Sequence, residues 1–234
     1  MKLIPIFAAL AFVVPAHAAD LKRPAPVENY YKTPATTGFN WSGFYLGIGG
    51  GYAGNIANSQ VTEGVVTIDL NQVPRGLGGR GDFWGLYEAQ GSPWVVGLHL
   101  EGDIFDLSAT GAVFSPTVTL ATLKNATNWT ASINAVVGIS PGDRMLLGLE
   151  GGPAIGGEKP DLTMLGTSTG ISQTSTGYNV GGFFKYALTS NIIAGIEGSY
   201  THLGDQSLTI AGAATATTRA DILRQTAFIE LKLP

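Results

Sequence analysis

The chain of 234 residues contains no cysteine. This absence excludes disulfides, thiol catalysis, cysteine-ligated zinc and iron–sulfur clusters. Charged residues are scarce as well, at 13%. The formal net charge is −4, so the basic surface typical of nucleic-acid-binding proteins is not expected. What the chain has in quantity is glycine, with 33 residues, and hydrophobic residues, at 44%. It is therefore too apolar for a disordered acidic protein.

The N-terminus has the three parts of a secretory signal. Met1 and Lys2 form a short basic region, residues 3–15 are apolar, and Ala16-His17-Ala18 is the small-x-small pattern of a cleavage site. The apolar stretch is shorter than the ~20 residues of a membrane-spanning helix. We therefore expect residues 1–18 to be a cleaved signal peptide that directs the chain out of the cytoplasm.

The mature chain divides into two regions. Residues 19–40 hold three prolines and show no periodicity, so they are predicted to form a proline-rich periplasmic linker. Residues 41–234 alternate between apolar and polar side chains with the period of β-strands. This second region is predicted to be a barrel domain.

Eight alternating segments follow one another in this region, and short turns between them alternate with long polar loops. The segments are 41–54, 80–90, 94–107, 128–139, 145–156, 177–186, 192–203 and 223–233. The long loops are 55–79, 108–127, 157–176 and 204–222. This regular alternation is typical of outer membrane barrels. We therefore predict an all-β fold, an eight-stranded antiparallel up-and-down transmembrane β-barrel with short periplasmic turns and long extracellular loops.

The two faces of the predicted strands differ in polarity. In the third segment, Val96, Leu98, Leu100 and Ile104 share one face, and His99, Glu101 and Asp103 share the other. In a membrane barrel the apolar face meets lipid and the polar face points into the lumen. Side chains fill the interior of an eight-stranded barrel, so a wide aqueous channel is not expected.

Four motifs resemble those of the small opacity-porin-like outer membrane proteins of alphaproteobacteria. They are the first strand around Asn40-Trp41-Ser42-Gly43-Phe44-Tyr45, the strand 94–107, the turn 140–147 and the hairpin 178–204. The resemblance covers nearly the whole mature chain. It implies an eight-stranded barrel of a family whose members are abundant surface antigens that stabilise the envelope, with porin activity, haem binding or adhesion claimed for some.

This resemblance also implies where the protein is located and what it contacts. We expect the cell outer membrane as its location, outer membrane lipids and lipopolysaccharide as its contacts, and the barrel-assembly machinery as a partner during biogenesis. No nucleic acid and no cofactor are expected. One departure from the family is the C-terminus, where Leu233-Pro234 stand in place of a terminal aromatic residue.

Charged residues recur on the predicted lumen face. The predicted lumen charge network consists of His99, Glu101, Asp103, Glu150, Lys185, Glu197, Arg224, Glu230 and Lys232. Two interpretations remain: a lumenal ion path or metal site, and a plug of salt bridges that fills the barrel. We favour the plug and predict no metal site.

Two further sequence patterns do not predict a cofactor-binding or catalytic site. Gly49, Gly51 and Gly54 match a dinucleotide fingerprint, but no helical period and no βαβ unit follow. We interpret Gly47, Gly49 and Gly51, which share one face of the first strand, as positions where neighbouring backbones or bulky lumen residues approach closely. A hydrolase would need Ser199 beside His202 or His99 and an acid such as Glu197, yet Ser199 and His202 alternate onto opposite faces.

The predicted function is therefore a non-catalytic outer membrane barrel for envelope integrity and surface exposure. The alternatives are a narrow passive porin and an adhesin or ligand-binding protein that acts through its loops, including 55–79 with the adjoining Arg80.

Overall fold

A computed structural model describes residues 38–63, 66–72, 74–114, 119–164, 167–210 and 214–234. The predicted signal peptide and most of the predicted linker lie outside these described residues. Among the residues that the structure describes, no helix is long and apolar enough to cross a membrane.

The described chain forms one antiparallel sheet of eleven strands. They are β1 (Gly43–Glu63), β2 (Val66–Gln72), β3 (Arg75–Glu88), β4 (Trp94–Phe114), β5 (Thr119–Gly142), β6 (Met145–Glu158), β7 (Asp161–Met164), β8 (Thr167–Gly170), β9 (Gln173–Ala187), β10 (Ile192–Ile210) and β11 (Ala214–Lys232).

Eight of these strands close into a ring. The order β4-β3-β1-β11-β10-β9-β6-β5 is completed by pairing of β4 with β5. The three short strands lie outside the ring, where β2 pairs with β1 and the β7–β8 hairpin pairs with β5. The prediction of an eight-stranded antiparallel barrel is confirmed.

The predicted long loops are mostly strand, which corrects the boundaries drawn from the sequence. Pairing of β4 with β5 continues to Phe114 and Thr119, and pairing of β10 with β11 continues to Ile210 and Ala214. These segments are rich in threonine and other residues that favour pleated backbone. Their apolar alternation ends earlier than their backbone pairing, and alternation was the only signal that the sequence offered.

The outer surface of the barrel carries an apolar band. Outward-facing Ile48, Ile104 and Leu149 are 76%, 70% and 66% exposed, whereas His99 and Glu101 on the alternate positions of β4 are buried. This polarity is the reverse of that in a water-soluble protein and fits a barrel surrounded by lipid.

The lumen is packed with side chains at both ends. The periplasmic apolar layer, next to the short turns, consists of Trp41, Tyr45, Trp84, Leu86, Val95, Val136, Leu146, Phe183, Ala187 and Ile193. The upper apolar layer, on the side of the long hairpins, consists of Ala53, Phe105, Leu107, Leu203, Ala220 and Ile222.

The end of the predicted linker belongs to the barrel. Trp41 is fully buried and its backbone N–H donates to Glu88 at 2.8 Å. Phe39 packs edge-on against Trp41 with ring centroids 4.7 Å apart, and its N–H donates to the carbonyl of Asp143. Residues 38–40 therefore help to cover the periplasmic opening.

Candidate functional site: a charged layer in the lumen

A layer of charged side chains crosses the lumen between the two apolar layers. This central charged layer consists of Arg80, Asp82, His99, Glu101, Asp103, Glu150, Lys185, Glu197, Arg224 and Glu230, none of them more than 6% exposed. Six strands contribute to the layer, because inward positions recur at every second residue and the pairing places inward residues of neighbouring strands side by side, as for Arg80 with Asp103 and Asp82 with Glu101.

A glycine on β1 makes room for the layer. A Cβ atom at Gly47 would lie 2.0 Å from Oδ1 of Asp82 and 2.9 Å from Cγ of Glu230. At Gly51, a Cβ would lie 1.9 Å from the backbone oxygen of Gln225. The interpretation of these glycines as sites of close approach is confirmed.

Arg80 on β3 contacts three carboxylates. Its Nη1 lies 2.8 Å from Oε1 of Glu197 and 3.5 Å from Oε2 of Glu101, and its Nε lies 3.2 Å from Oδ2 of Asp82. Its Nη2 donates to Nε2 of His99 at 2.8 Å. The guanidinium thus links β3, β4 and β10 across the lumen.

Arg224 on β11 is the second link. It donates from Nη2 to Oε2 of Glu101 at 2.7 Å and to Oγ of Ser199 at 2.8 Å, and from Nη1 to Asp103. Glu101 also accepts hydrogen bonds from Ser132 at 2.7 Å and Asn179 at 3.1 Å. The carboxylate of Glu101 is therefore the most fully satisfied of the layer.

Lys185 on β9 is fully buried beside the periplasmic apolar layer. Its Nζ donates to both oxygens of Glu230, at 2.8 and 3.1 Å, and lies 3.0 Å from the ring centroid of Trp84. A buried ammonium needs such partners, and the carboxylate and the aromatic face supply them.

His99 on β4 joins the layer through both ring nitrogens. Nε2 accepts from Arg80, and since guanidinium can only donate, the proton of the ring is on Nδ1, which donates to Oε2 of Glu150 at 2.8 Å. The imidazole also stacks on Trp84 with centroids 3.6 Å apart. His99 is therefore a neutral ring held in one orientation.

The structure brings together eight of the nine residues of the predicted network. Lys232 is the exception and a correction: it lies at the periplasmic end, where its Nζ donates to the backbone oxygen of Asn40 at 2.5 Å and lies over the ring of Phe39. It shares the inward face with Glu230, but it lies two residues further along β11, at the periplasmic end of the strand, and does not reach the layer.

Two members of the layer were not among the predicted site residues. Arg80 was predicted as the first residue of the segment 80–90 and grouped with the adjoining extracellular loop. The grouping with the loop is wrong, because β3 begins at Arg75 and Arg80 is already inside the barrel. Asp82 was omitted, although its alternation with the inward Trp84 and Leu86 is a signal in the sequence.

The residues considered for hydrolysis do not form a catalytic set. Ser199 faces the lumen, and its Oγ accepts a hydrogen bond from Arg224. His202 lies on the other face of β10, with Nδ1 2.6 Å from Oδ1 of Asp221. The barrel wall separates Ser199 from His202, as the alternation predicted, and the two ring nitrogens of His99 on the lumen side bind Arg80 and Glu150 instead.

Four side chains of the layer are close enough to surround one metal ion. One ligand atom from each of His99, Glu101, Glu150 and Glu197 lies within 4.8 Å of the others. This group shares His99 and Glu101 with the set considered from the sequence, but it contains Glu150 and Glu197 in place of Asp103.

Comparison with known proteins places the chain among bacterial outer membrane proteins. The family model described as outer membrane protein beta-barrel domain matches residues 6–226. No curated protein matches the chain.

Solved structures share the fold at low identity. The outer membrane protein OprG from Pseudomonas aeruginosa is 15% identical, with 84% of this chain and 98% of that chain covered and a TM-score of 0.53. The outer membrane protease OmpT from Escherichia coli is 8% identical, with 82% and 97% covered and a TM-score of 0.50. Neisserial surface protein A is 14% identical, with 82% and 98% covered and a TM-score of 0.44. At these identities the likeness concerns the fold alone.

Proposed function

The chain belongs to the family of outer membrane protein beta-barrel domains, and from this premise we propose that it is a sealed, non-catalytic barrel. In this role it contributes to the integrity of the envelope and exposes its long hairpins at the cell surface. The finer placement among opacity-porin-like proteins of alphaproteobacteria is part of the same proposal, supported by the four sequence motifs.

The observation that carries the proposal is the three-layer filling of the lumen. Aromatic side chains close the periplasmic end of the lumen, where Trp41, Tyr45 and Trp84 are fully buried. The charged layer bridges the middle, and aliphatic and aromatic side chains close the upper part. A cavity of about 10 Å³ beside Arg80 and Arg224 has room for about one water molecule.

A narrow passive pore is the less favoured alternative. It would need a continuous file of water from end to end, and the two apolar layers cross that path. Opening it would require the indole of Trp84 to leave both His99 and Lys185, with which it is in direct contact.

The proposal excludes catalysis on the ground of geometry. Ser199 and His202 face opposite sides of the wall, and the acid next to Ser199, Glu197, is bound to Arg80. Acyl transfer needs nucleophile, base and acid in hydrogen-bonded sequence.

Surface presentation is supported by the paired hairpins. Strands β4 and β5 continue as a ladder from Leu107 and Thr127 to Phe114 and Thr119, beyond the outward Ile104 of the apolar band. Such a ladder is an ordered surface on which a partner could bind, which is the basis of the adhesin alternative. The outer membrane lipids and lipopolysaccharide would contact the apolar band, and the assembly machinery would receive β11.

Single-channel conductance tests the proposal. Residues 19–234 are refolded into detergent, a heat-modifiable gel shift establishes the folded barrel, and the protein is inserted into planar bilayers. We expect a silent bilayer for the wild type. A variant that opens both apolar layers, Tyr45→Ala/Trp84→Ala combined with Phe105→Ala/Leu107→Ala, is expected to conduct, whereas Trp94→Ala on the lipid face is expected to stay silent.

Discrete, reproducible steps from the wild type would contradict the sealed barrel and support the porin alternative. Shortening the β4–β5 hairpin leaves the ring intact, so loss of binding to host cells after this change would support the adhesin alternative.

A further inference from the structure

The central charged layer carries more negative than positive charge. It contains six carboxylates, from Asp82, Glu101, Asp103, Glu150, Glu197 and Glu230, and three basic groups, from Arg80, Lys185 and Arg224. His99 is neutral by its hydrogen bonds and compensates nothing. With all six carboxylates ionised, the described residues leave a deficit of three positive charges in a region that water scarcely reaches, and buried charge without compensation is costly.

The deficit is concentrated at Glu150. Arg80 and Arg224 contact the other carboxylates on their side of the lumen, and Lys185 holds Glu230. The contacts of Glu150 are a neutral imidazole at 2.8 Å and the Asn134 amide nitrogen at 3.4 Å. Glu150 is buried without a cationic contact among the described residues.

Three further oxygens, on Asn134 and Glu197, have no hydrogen-bond partner in the described structure. Asn134 is fully buried, and while its Nδ2 donates to Ser132 and Glu150, its Oδ1 accepts nothing. Glu197, which belongs to the four-residue group around Glu150, forms an ion pair with Arg80 through Oε1 at 2.8 Å, and neither of its carboxylate oxygens has a hydrogen-bond partner. Buried polar atoms of this kind call for an explanation, such as an ion.

We propose that the lumen binds one hard divalent cation at Glu150 and Glu197, with Asn134 as a further ligand once its side-chain amide is turned so that Oδ1 takes the place of Nδ2 beside Glu150. Carboxylate and amide oxygens are the ligands that Mg²⁺, Ca²⁺ and Mn²⁺ prefer. The Nδ1–H of His99 orients Glu150, as neighbouring groups commonly orient metal ligands. The two positive charges of the ion would reduce the deficit of the layer from three to one.

Mn²⁺ uptake during folding tests this proposal. The full mature chain is refolded into detergent with Mn²⁺, free metal is removed by desalting, and bound Mn²⁺ is measured by electron paramagnetic resonance, with Ca²⁺ as competitor. Refolding with metal is necessary because the apolar layers close both ends of the lumen. We expect about one Mn²⁺ per barrel, displaced by Ca²⁺, and a higher unfolding temperature with metal than with EDTA.

Two variants and one matched control define the site. Glu150→Gln and Asn134→Leu are expected to weaken Mn²⁺ binding at least about tenfold, while the gel shift reports whether each barrel folds. Glu158→Gln is the control, because Glu158 is a fully buried carboxylate outside the group, bound to Ser175 at 2.8 Å. It is expected to retain the wild-type affinity.

Three results would overturn the proposal. The first is a folded wild type that takes up neither Mn²⁺ nor Ca²⁺, which would mean that protons neutralise the layer. The second is equal loss of binding in Glu158→Gln and Glu150→Gln, which would place the ion elsewhere. The third is full Mn²⁺ binding by folded Glu150→Gln.

Discussion

Removal of the charge of Arg80 is the sharpest test of the central charged layer. In Arg80→Met the side chain keeps much of its length and its apolar stem, so the packing of the lumen changes little. The change removes an ion pair from two carboxylates: Asp82 loses one at 3.2 Å, and Glu197 loses one at 2.8 Å and keeps only the longer contact with Arg224 at 3.7 Å. Glu101 is affected less, because Arg224 still holds it at 2.7 Å.

The expected magnitude follows from the burial of these groups. The side chains of Arg80, Asp82 and Glu197 are at most 1% exposed, so solvent does not screen them. Loss of one partner of a buried ion pair costs about 3–5 kcal/mol, since the remaining charge is left in a medium of low dielectric constant. We therefore expect Arg80→Met to lower the free energy of unfolding by about 3–5 kcal/mol.

Urea titration of the barrel in lipid vesicles, followed by tryptophan fluorescence, measures this difference. Arg75→Met is the matched control, because Arg75 lies on the same strand and is exposed, and its effect is expected to stay within about 0.5 kcal/mol. Glu197→Gln added to Arg80→Met is expected to recover part of the loss, because it removes one stranded charge. A loss below about 1 kcal/mol in Arg80→Met, the range of exposed ion pairs, would refute the reasoning.

The same titration checks two further expectations. Gly51→Ala places a Cβ 1.9 Å from a backbone oxygen of β11 and is expected to cost about 1–3 kcal/mol. Gly81→Ala, where nothing lies within 4 Å of the added carbon, is expected to be nearly neutral, and equal effects would contradict the close-packing argument. Lys185→Met is expected to cost about 3–5 kcal/mol, because it leaves a buried carboxylate unpaired. Lys232→Met is expected to cost less than about 1 kcal/mol, and the reverse order would restore Lys232 to the network.

The strand count and the strand faces could be predicted from the sequence, because both depend on local patterns. Alternation in 94–104 places His99, Glu101 and Asp103 inward, and the structure buries all three. The lengths of the hairpins could not be predicted. Apolar alternation reports contact with lipid, whereas backbone pairing above the band depends on the partner strand, which alternation does not encode.

The composition of the site was predictable in part. Inward direction follows from alternation, so eight of the network residues were identified, but height along the barrel depends on the register between strands. Lys232 faces the lumen as predicted, but it lies below the charged layer. Arg80 lies within the layer, on a strand that begins five residues before the predicted segment. The excess of carboxylates over basic groups at one level was also hidden, because it requires the levels of six strands to be known together.

The register explains what the charged layer contributes beyond filling space. A hydrophobic lumen of equal volume would be about as stable as one held by buried ion pairs, so stability alone does not account for the layer. A slip of one residue in β4, however, would turn His99, Glu101 and Asp103 towards lipid and bring Leu98 and Leu100 into the lumen, because successive side chains alternate. The slip would also separate Glu101 from both arginines that hold it in the native register. Each strand that contributes to the layer carries the same penalty, so the ion pairs disfavour misregistered barrels in a way that interchangeable apolar side chains do not.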